Sequence, residues 1–228
     1  MIFVMEFSKA FADAVVDYRG LLDKGYPTKA TLKLVGDRYR LAKAERMILF
    51  RGVLSRFVSN LIASKLVYSV EKRSRLAVDG HNVLLTLVNY HRGLPLFIAS
   101  DGLLRDAGAA FGRSRSTTYM ERSISLFIQG IVELDPEYLL ICLDRPVSGS
   151  GNLAQALRNA LSISGVQATV DLFPSADPIV RDFEGDCITS SDSALVMKAV
   201  SPTFDLAMWL LGCRYKSTFP DIRALLNG

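Results

Sequence analysis

Leu76-Ala77-Val78-Asp79-Gly80-His81-Asn82 is the stretch that decides the fold. Three aliphatic residues in a row read as a short buried strand, and the acid, glycine and polar pair behind them read as its exit turn. The same texture recurs downstream. Residues 138–143, 166–172 and 186–189 are further short runs rich in aliphatic side chains. Helical periods lie between them, the clearest over 118–133 with Ile124, Phe127, Ile128, Ile131 and Val132 on one face. Residues 152–161 and 193–199 carry two more. Such alternation predicts βαβ units and an α/β fold, with a mainly parallel sheet covered by helices on both faces. Residues 83–99 admit two readings: a hairpin around Arg92-Gly93, or one buried helix followed by a strand.

Upstream of residue 75 the periodicity is helical throughout. Phe7, Phe11, Ala14, Val15, Tyr18, Leu21 and Leu22 make one apolar stripe, with Ser8 placed to cap its start and Gly25-Tyr26-Pro27 to end it. A short helix is expected over 29–35, stopped by Gly36. A third segment runs from Met47 to Leu66, and Gly52 within it marks a break or a close helix contact.

Half of the 228 residues are hydrophobic and 22% are charged, which supports a buried core and excludes wholesale disorder. No run approaches the 18 apolar residues of a membrane span, and the apolar residues 1–5 are too short for a signal segment. Cys142, Cys187 and Cys213 are odd in number and form no C-x-x-C pair, which argues against a disulfide framework and a cysteine zinc site. All three are expected in the core. These features describe a soluble, cytoplasmic protein. Its charge is uneven: residues 1–75 hold 15 Lys+Arg against 7 Asp+Glu, and residues 76–228 hold 12 against 16. Basic surface attracts phosphate backbones, and an acidic cluster within a fold calls for a cation. On charge alone, solvated helix faces account for both.

Three aspartates occupy the same kind of place. Asp79, Asp144 and Asp192 each follow a strand-like run, where side chains at the carboxyl ends of a parallel sheet converge. Singly, each is an ordinary turn residue. Together they suggest an oxygen-rich site for Mg²⁺ or Mn²⁺ able to activate water against a phosphodiester. Asp177, before Pro178, is a fourth ligand candidate or a helix start. Asn82 either orients a metal-bound water or satisfies its turn. Glu121, Asp101 and Asp106 are weaker candidates, as surface charge or local partners of Arg105 and Arg122. Ser148-Gly149-Ser150-Gly151 is a turn with amides suited to an anion but without the Gly-Lys-Ser/Thr of a P-loop. His81 and His91 lack zinc-like spacing.

With these residues in hand, the C-terminal two-thirds resembles the PIN-like nuclease superfamily, on Leu-Ala-Val-Asp79-Gly-His-Asn82, on Leu143-Asp144 and on Ile-Thr-Ser-Ser-Asp192-Ser. Leu21-Leu22-Asp23-Lys24-Gly25-Tyr26-Pro27 through Leu34-Val35-Gly36-Asp37-Arg38-Tyr39, then Glu45-Arg46 and Arg51-Gly52-Val53, resembles the largely archaeal family catalogued as domain of unknown function 434. The resemblance implies a small basic all-α module over 1–72 and a PIN-like three-layer α/β/α domain over 73–228. It implies an acidic Mg²⁺ or Mn²⁺ site that hydrolyses RNA, with Asp79 as first-strand ligand, Asp192 as the late acid, Asp177 opening a helix and Asp144 in the middle. Two departures stand out. Segment 83–112 is expected to insert extra structure where a helix usually follows directly, and the second half has no Asp-Asp pair.

The leading expectation is therefore a metal-dependent endoribonuclease whose Arg38, Arg40, Arg46, Arg51 and Arg56 grip the RNA backbone. Tyr39 stacks on a base or serves the core. The rival is a scaffold without turnover that binds RNA or a ribonucleoprotein. A third, more distant reading is a phosphohydrolase using 148–151. No membrane is involved, and the sequence leaves room for a homodimer.

Overall fold

A computed structural model describes residues 7–108 and 117–226. In chain order, helices α1 (Lys9–Asp23), α2 (Thr28–Arg38), α3 (Lys43–Gly52) and α4 (Arg56–Ala63) come first. Strands β1 (Leu66–Val67) and β2 (Arg75–Asp79) precede α5 (Gly80–His91), β3 (Leu96–Ile98) and β4 (Leu104–Asp106). Then come α6 (Thr117–Leu134), β5 (Tyr138–Asp144), α7 (Ser150–Ile163), β6 (Thr169–Phe173), α8 (Asp177–Arg181) and β7 (Cys187–Thr189). The chain closes with α9 (Ser193–Lys198), β8 (Thr203–Phe204), α10 (Leu206–Tyr215) and α11 (Ile222–Leu226).

These elements form two compact units, and neither is continuous in sequence. The first takes Met1–Ser64, Arg92–Arg115 and Ser217–Gly228. Ser8 caps α1 by accepting the Phe11 amide at 3.1 Å, and Gly25 turns the chain with φ +82°. The stripe predicted on α1 is its buried face, with Phe11, Ala14, Val15 and Tyr18 packed against Val35, Ile48, Leu49, Phe97 and Ile222. Gly36 does not stop α2. It sits under the Arg46 guanidinium, where a Cβ would lie 2.4 Å from Nη1, and the helix continues to Arg38. At Gly52 both sequence readings hold: α3 ends there, and a Cβ would lie 2.3 Å from Ile222 Cδ1 and 2.7 Å from the Phe97 ring. So the module expected to be all-α and to end at residue 72 instead ends its first segment at Ser64. It completes its core with the antiparallel pair β3–β4 and with α11.

The second unit, Lys65–His91 and Ser116–Lys216, holds a six-stranded sheet in the order β1-β8-β7-β2-β5-β6, with all pairs parallel. The chain steps outward from β2 to β5 and β6, then returns across β2 to β7 and β8. Its strand order therefore reverses at β2. Ala77 and Val78 point to opposite faces of that strand and are both fully buried, so the sheet is covered on both sides at its centre. Of the two readings of 83–99, the helix-and-strand one is observed: α5 follows β2 without a loop, as Val83, Leu84, Leu87 and Val88 bury one face. The extra structure expected over 83–112 thus begins only after α5, and residues 109–112 lie outside the described residues. Gly80 makes the abrupt strand-to-helix switch fit, because a Cβ there would lie 2.7 Å from Leu143 Cδ2 and 3.1 Å from the Cys142 carbonyl.

Candidate functional site

The reversal of strand order at β2 sets a topological switch point at the carboxyl ends of β2 and β7, the usual ligand position in such sheets. Asp79 ends β2 and is only 5% exposed. Both its oxygens are engaged: Oδ1 accepts the Asn82 amide at 3.2 Å and Oδ2 accepts the Ser190 hydroxyl at 2.9 Å. Burial pushes its carboxyl up to about 7, against the lowering effect of those two bonds, and the charges of Asp177 and Asp144 push the same way. Asp177 is also raised, by burial and then by Asp192 and Asp144. Asp79 and Asp177 therefore both sense neighbouring carboxylates.

Their fine placement is less simple. Asp192 caps α9, its Oδ1 accepting the amides of Ala194 (2.7 Å) and Leu195 (3.0 Å). Asp144, the last residue of β5, accepts the Ala176 amide at 2.8 Å and so fixes the entry to α8, which Asp177 and Pro178 open. Asn82 spends its carbonyl on Ser191, from the amide at 2.8 Å and the hydroxyl at 3.0 Å, tying the first turn of α5 to the turn after β7. Among the described residues, no three His, Cys, Asp or Glu side chains stand close enough to hold one metal ion.

Two groups that sequence reasoning passed over support the site. His81, 8% exposed, accepts the Asp144 amide through Nδ1 at 3.0 Å. That nitrogen therefore carries the lone pair, and Nε2–H faces the Ser150 hydroxyl at 3.3 Å. Burial holds this imidazole below its usual range, so the 3.4 Å approach of Nδ1 to Asp144 Oδ2 is a contact of a neutral ring rather than an ion pair. Ser150 in turn lies 2.6 Å from the Asp144 carbonyl and 2.5 Å from that of Val147. Gly149 adopts φ +87° to start α7, and the hydroxyl of the 148–151 turn is thereby committed to the backbone. Ser190 also accepts the Asp192 amide at 3.1 Å, so one hydroxyl joins two of the acids. No sequence spacing marks His81 as a partner of Ser150, 69 residues away.

The arginines divide into two sets. Arg46 donates to the Leu41 carbonyl at 2.9 Å and pairs with Asp37 at 2.9 Å. Arg51 donates to the Asp106 carbonyl at 2.8 Å and pairs with its carboxylate at 3.2 Å. Both are structural here. Tyr39 donates to Asp17 at 2.7 Å beneath the Arg38 guanidinium, which holds its ring in place. Arg38, Arg40 and Arg56 remain exposed. Asp101 and Arg105, read as a local pair, do pair at 2.5 Å but fully inside the fold, while Glu121 is exposed. Cys142 and Cys187 are buried, as expected; Cys213 is exposed on α10, not in the core.

Fold and site together define an α/β protein with four aspartates set along the carboxyl edge of a parallel sheet, at or just past the ends of β2, β5, β6 and β7. Residues 69–209 match the family described as Domain of unknown function (DUF5616), and the chain belongs to that family. Residues 10–65 match the family described as Protein of unknown function (DUF434). The chain is similar to the "Uncharacterized protein MJ0935" of Methanocaldococcus jannaschii, with 26% identity over 181 residues, 79% of this chain and 86% of that one. No solved structure matches it. Among the described residues, no helix is long and apolar enough to cross a membrane.

Proposed function

We propose that the protein is a PIN-like, metal-dependent endoribonuclease. The observation that carries this reading is the placement of Asp79, Asp144, Asp177 and Asp192 at or just past the carboxyl ends of β2, β5, β6 and β7, where the charges of Asp177 and Asp144 help to raise Asp79 and those of Asp192 and Asp144 help to raise Asp177. Hard carboxylate oxygens under mutual repulsion are the donor set that Mg²⁺ or Mn²⁺ prefers. Asp79 with one of Asp144, Asp177 and Asp192 would hold the ion, and water would complete its shell. Bound there, the ion would supply an activated water and screen the phosphodiester charge. Ser190, Asn82 and His81 keep the acids in position, and the exposed Arg38, Arg40 and Arg56 would hold the RNA backbone.

The test is cleavage of labelled single-stranded RNA in Mn²⁺ by the wild type, Asp79→Asn and Asp192→Asn. Cutting that both variants lose supports the reading, and cutting that survives Asp79→Asn defeats it. A second reading, an RNA- or ribonucleoprotein-binding module without turnover, is favoured by the oxygens already spent on Asn82, Ser190, Ala176 and the α9 cap. It is the outcome if RNA is bound, salt-sensitively and in EDTA, but left uncut.

A further inference from the structure

The last residues of α5 and α10 meet α6 at Ser123, away from the acids, and a directed hydrogen-bond relay joins them. Ser123 on α6 donates its one proton to the Tyr119 carbonyl at 2.8 Å. Its oxygen must then accept from His91, the last residue of α5, whose Nδ1 lies 3.0 Å away. The other ring nitrogen, Nε2, is left as the acceptor for the Tyr215 hydroxyl of α10 at 3.4 Å. Burial and the nearby Arg122 charge both lower the affinity of this imidazole for a second proton, which keeps the relay neutral.

The relay fixes an aromatic stack. The Tyr90 and Tyr215 rings lie 5.4 Å apart and 22° from parallel, while His91 stands edge-on to Tyr215 at 85°. Tyr90 is half-buried below, and Tyr215 is 45% exposed above it. Arg122, whose charge reaches His91, and Lys216, the residue after Tyr215, are both exposed, and Lys216 closes α10 in a left-handed turn with φ +49°. A ring held from behind with cations nearby offers stacking area without a loss of side-chain freedom on binding.

We infer that Tyr215 is a stacking platform for an unpaired base of single-stranded RNA, with Arg122 and Lys216 meeting the flanking phosphates. The inference rests on the RNA reading above and adds a contact outside the first unit. α5 has 12 residues, which puts the platform about 18 Å along that helix from Asp79 and makes it a second hold on the same strand.

The test is fluorescence anisotropy of the full chain with fluorescein-labelled oligouridylate and with a labelled RNA duplex of equal length, both in EDTA so that nothing is cut. Tyr215→Ala should weaken oligouridylate binding about tenfold and leave the duplex unchanged. Tyr215→Phe, which keeps the ring and its stack on Tyr90 but loses the bond to His91, should fall between the wild type and Tyr215→Ala. Independently of any variant, 4-thiouridine crosslinking to the wild type should label the peptide containing Tyr215. If the wild type binds no RNA, the RNA reading falls. If it binds but neither Tyr215→Ala nor the crosslink implicates this ring, the platform falls alone.

Discussion

Asp79 shows how one residue can work against the fold that positions it. In the unfolded chain its carboxyl has the ordinary value of 3.8, whereas burial raises it to about 7 in the native state. Between those values the folded protein holds a proton that the unfolded chain has released. Stability therefore falls as pH rises through this window, by on the order of 4 kcal/mol, and is level above it. Asp79→Asn removes the ionisation while keeping a carbonyl for the Ser190 hydroxyl. In EDTA, urea unfolding of the variant should lack this decline and leave it more stable than the wild type at pH 8. Adding Mg²⁺ at that pH should stabilise the wild type and not the variant. Parallel pH profiles for the two proteins would show that Asp79 ionises freely in the native state.

At the scale of elements, what was legible depended on whether partners are local. β2, β5, α6 and α7 carry their own periodicity and stand within a few residues of where the sequence puts them. α5 was ambiguous because Val83-Leu84-Leu85 and Leu87-Val88 satisfy a strand pattern as readily as a helix buried on one face. β1 and β8, two residues each, carry no period at all. The strand-end positions of Asp79 and Asp144 were legible because each ends its apolar run, while the place of Ser190 was not, since its bond to Asp79 spans 111 residues of sequence. β3 falls within the strand that the sequence allowed over 94–98, but its pairing with β4 was not legible, and that pair hides an ionic core. Arg105 is 2% exposed and Asp101 fully buried, and Arg105 also donates to the Arg51 carbonyl at 2.8 Å. Removing one member of such a pair strands its partner's charge, so Arg105→Met should cost about 3–5 kcal/mol in urea unfolding. Combining it with Asp101→Asn should recover part of that loss, and a double variant no better than the single one would mean that packing, not charge, sets the cost.

Over the whole molecule, the exchange of segments between units leaves the charge asymmetry intact. Met1–Ser64, Arg92–Arg115 and Ser217–Gly228 together hold 16 Lys+Arg against 9 Asp+Glu, and the other unit holds 11 against 14. The basic excess read from the first 75 residues is thus a property of a folded unit, although its boundary follows β3, β4 and α11 rather than position in the chain. Only part of that excess faces solvent as free handles for phosphate. Arg46 and Arg51 are tied to Asp37 and Asp106, whereas Arg38 has one loose, exposed partner, Asp17 at 3.7 Å, of the kind that contributes little. If Arg38, Arg40 and Arg56 each neutralise one phosphate, they account for about 2 in the slope of log affinity against log salt for a single strand. Replacing all three with alanine should flatten the slope by about that amount, measured by anisotropy over a KCl series in EDTA, with the melting temperature nearly unchanged. Arg46→Ala or Arg51→Ala should do the reverse, lowering the melting temperature and sparing the slope, because each removes a side chain that ties a backbone carbonyl, of Leu41 or Asp106, as well as a carboxylate. A triple variant with the wild-type slope would move the phosphate contacts off this unit altogether.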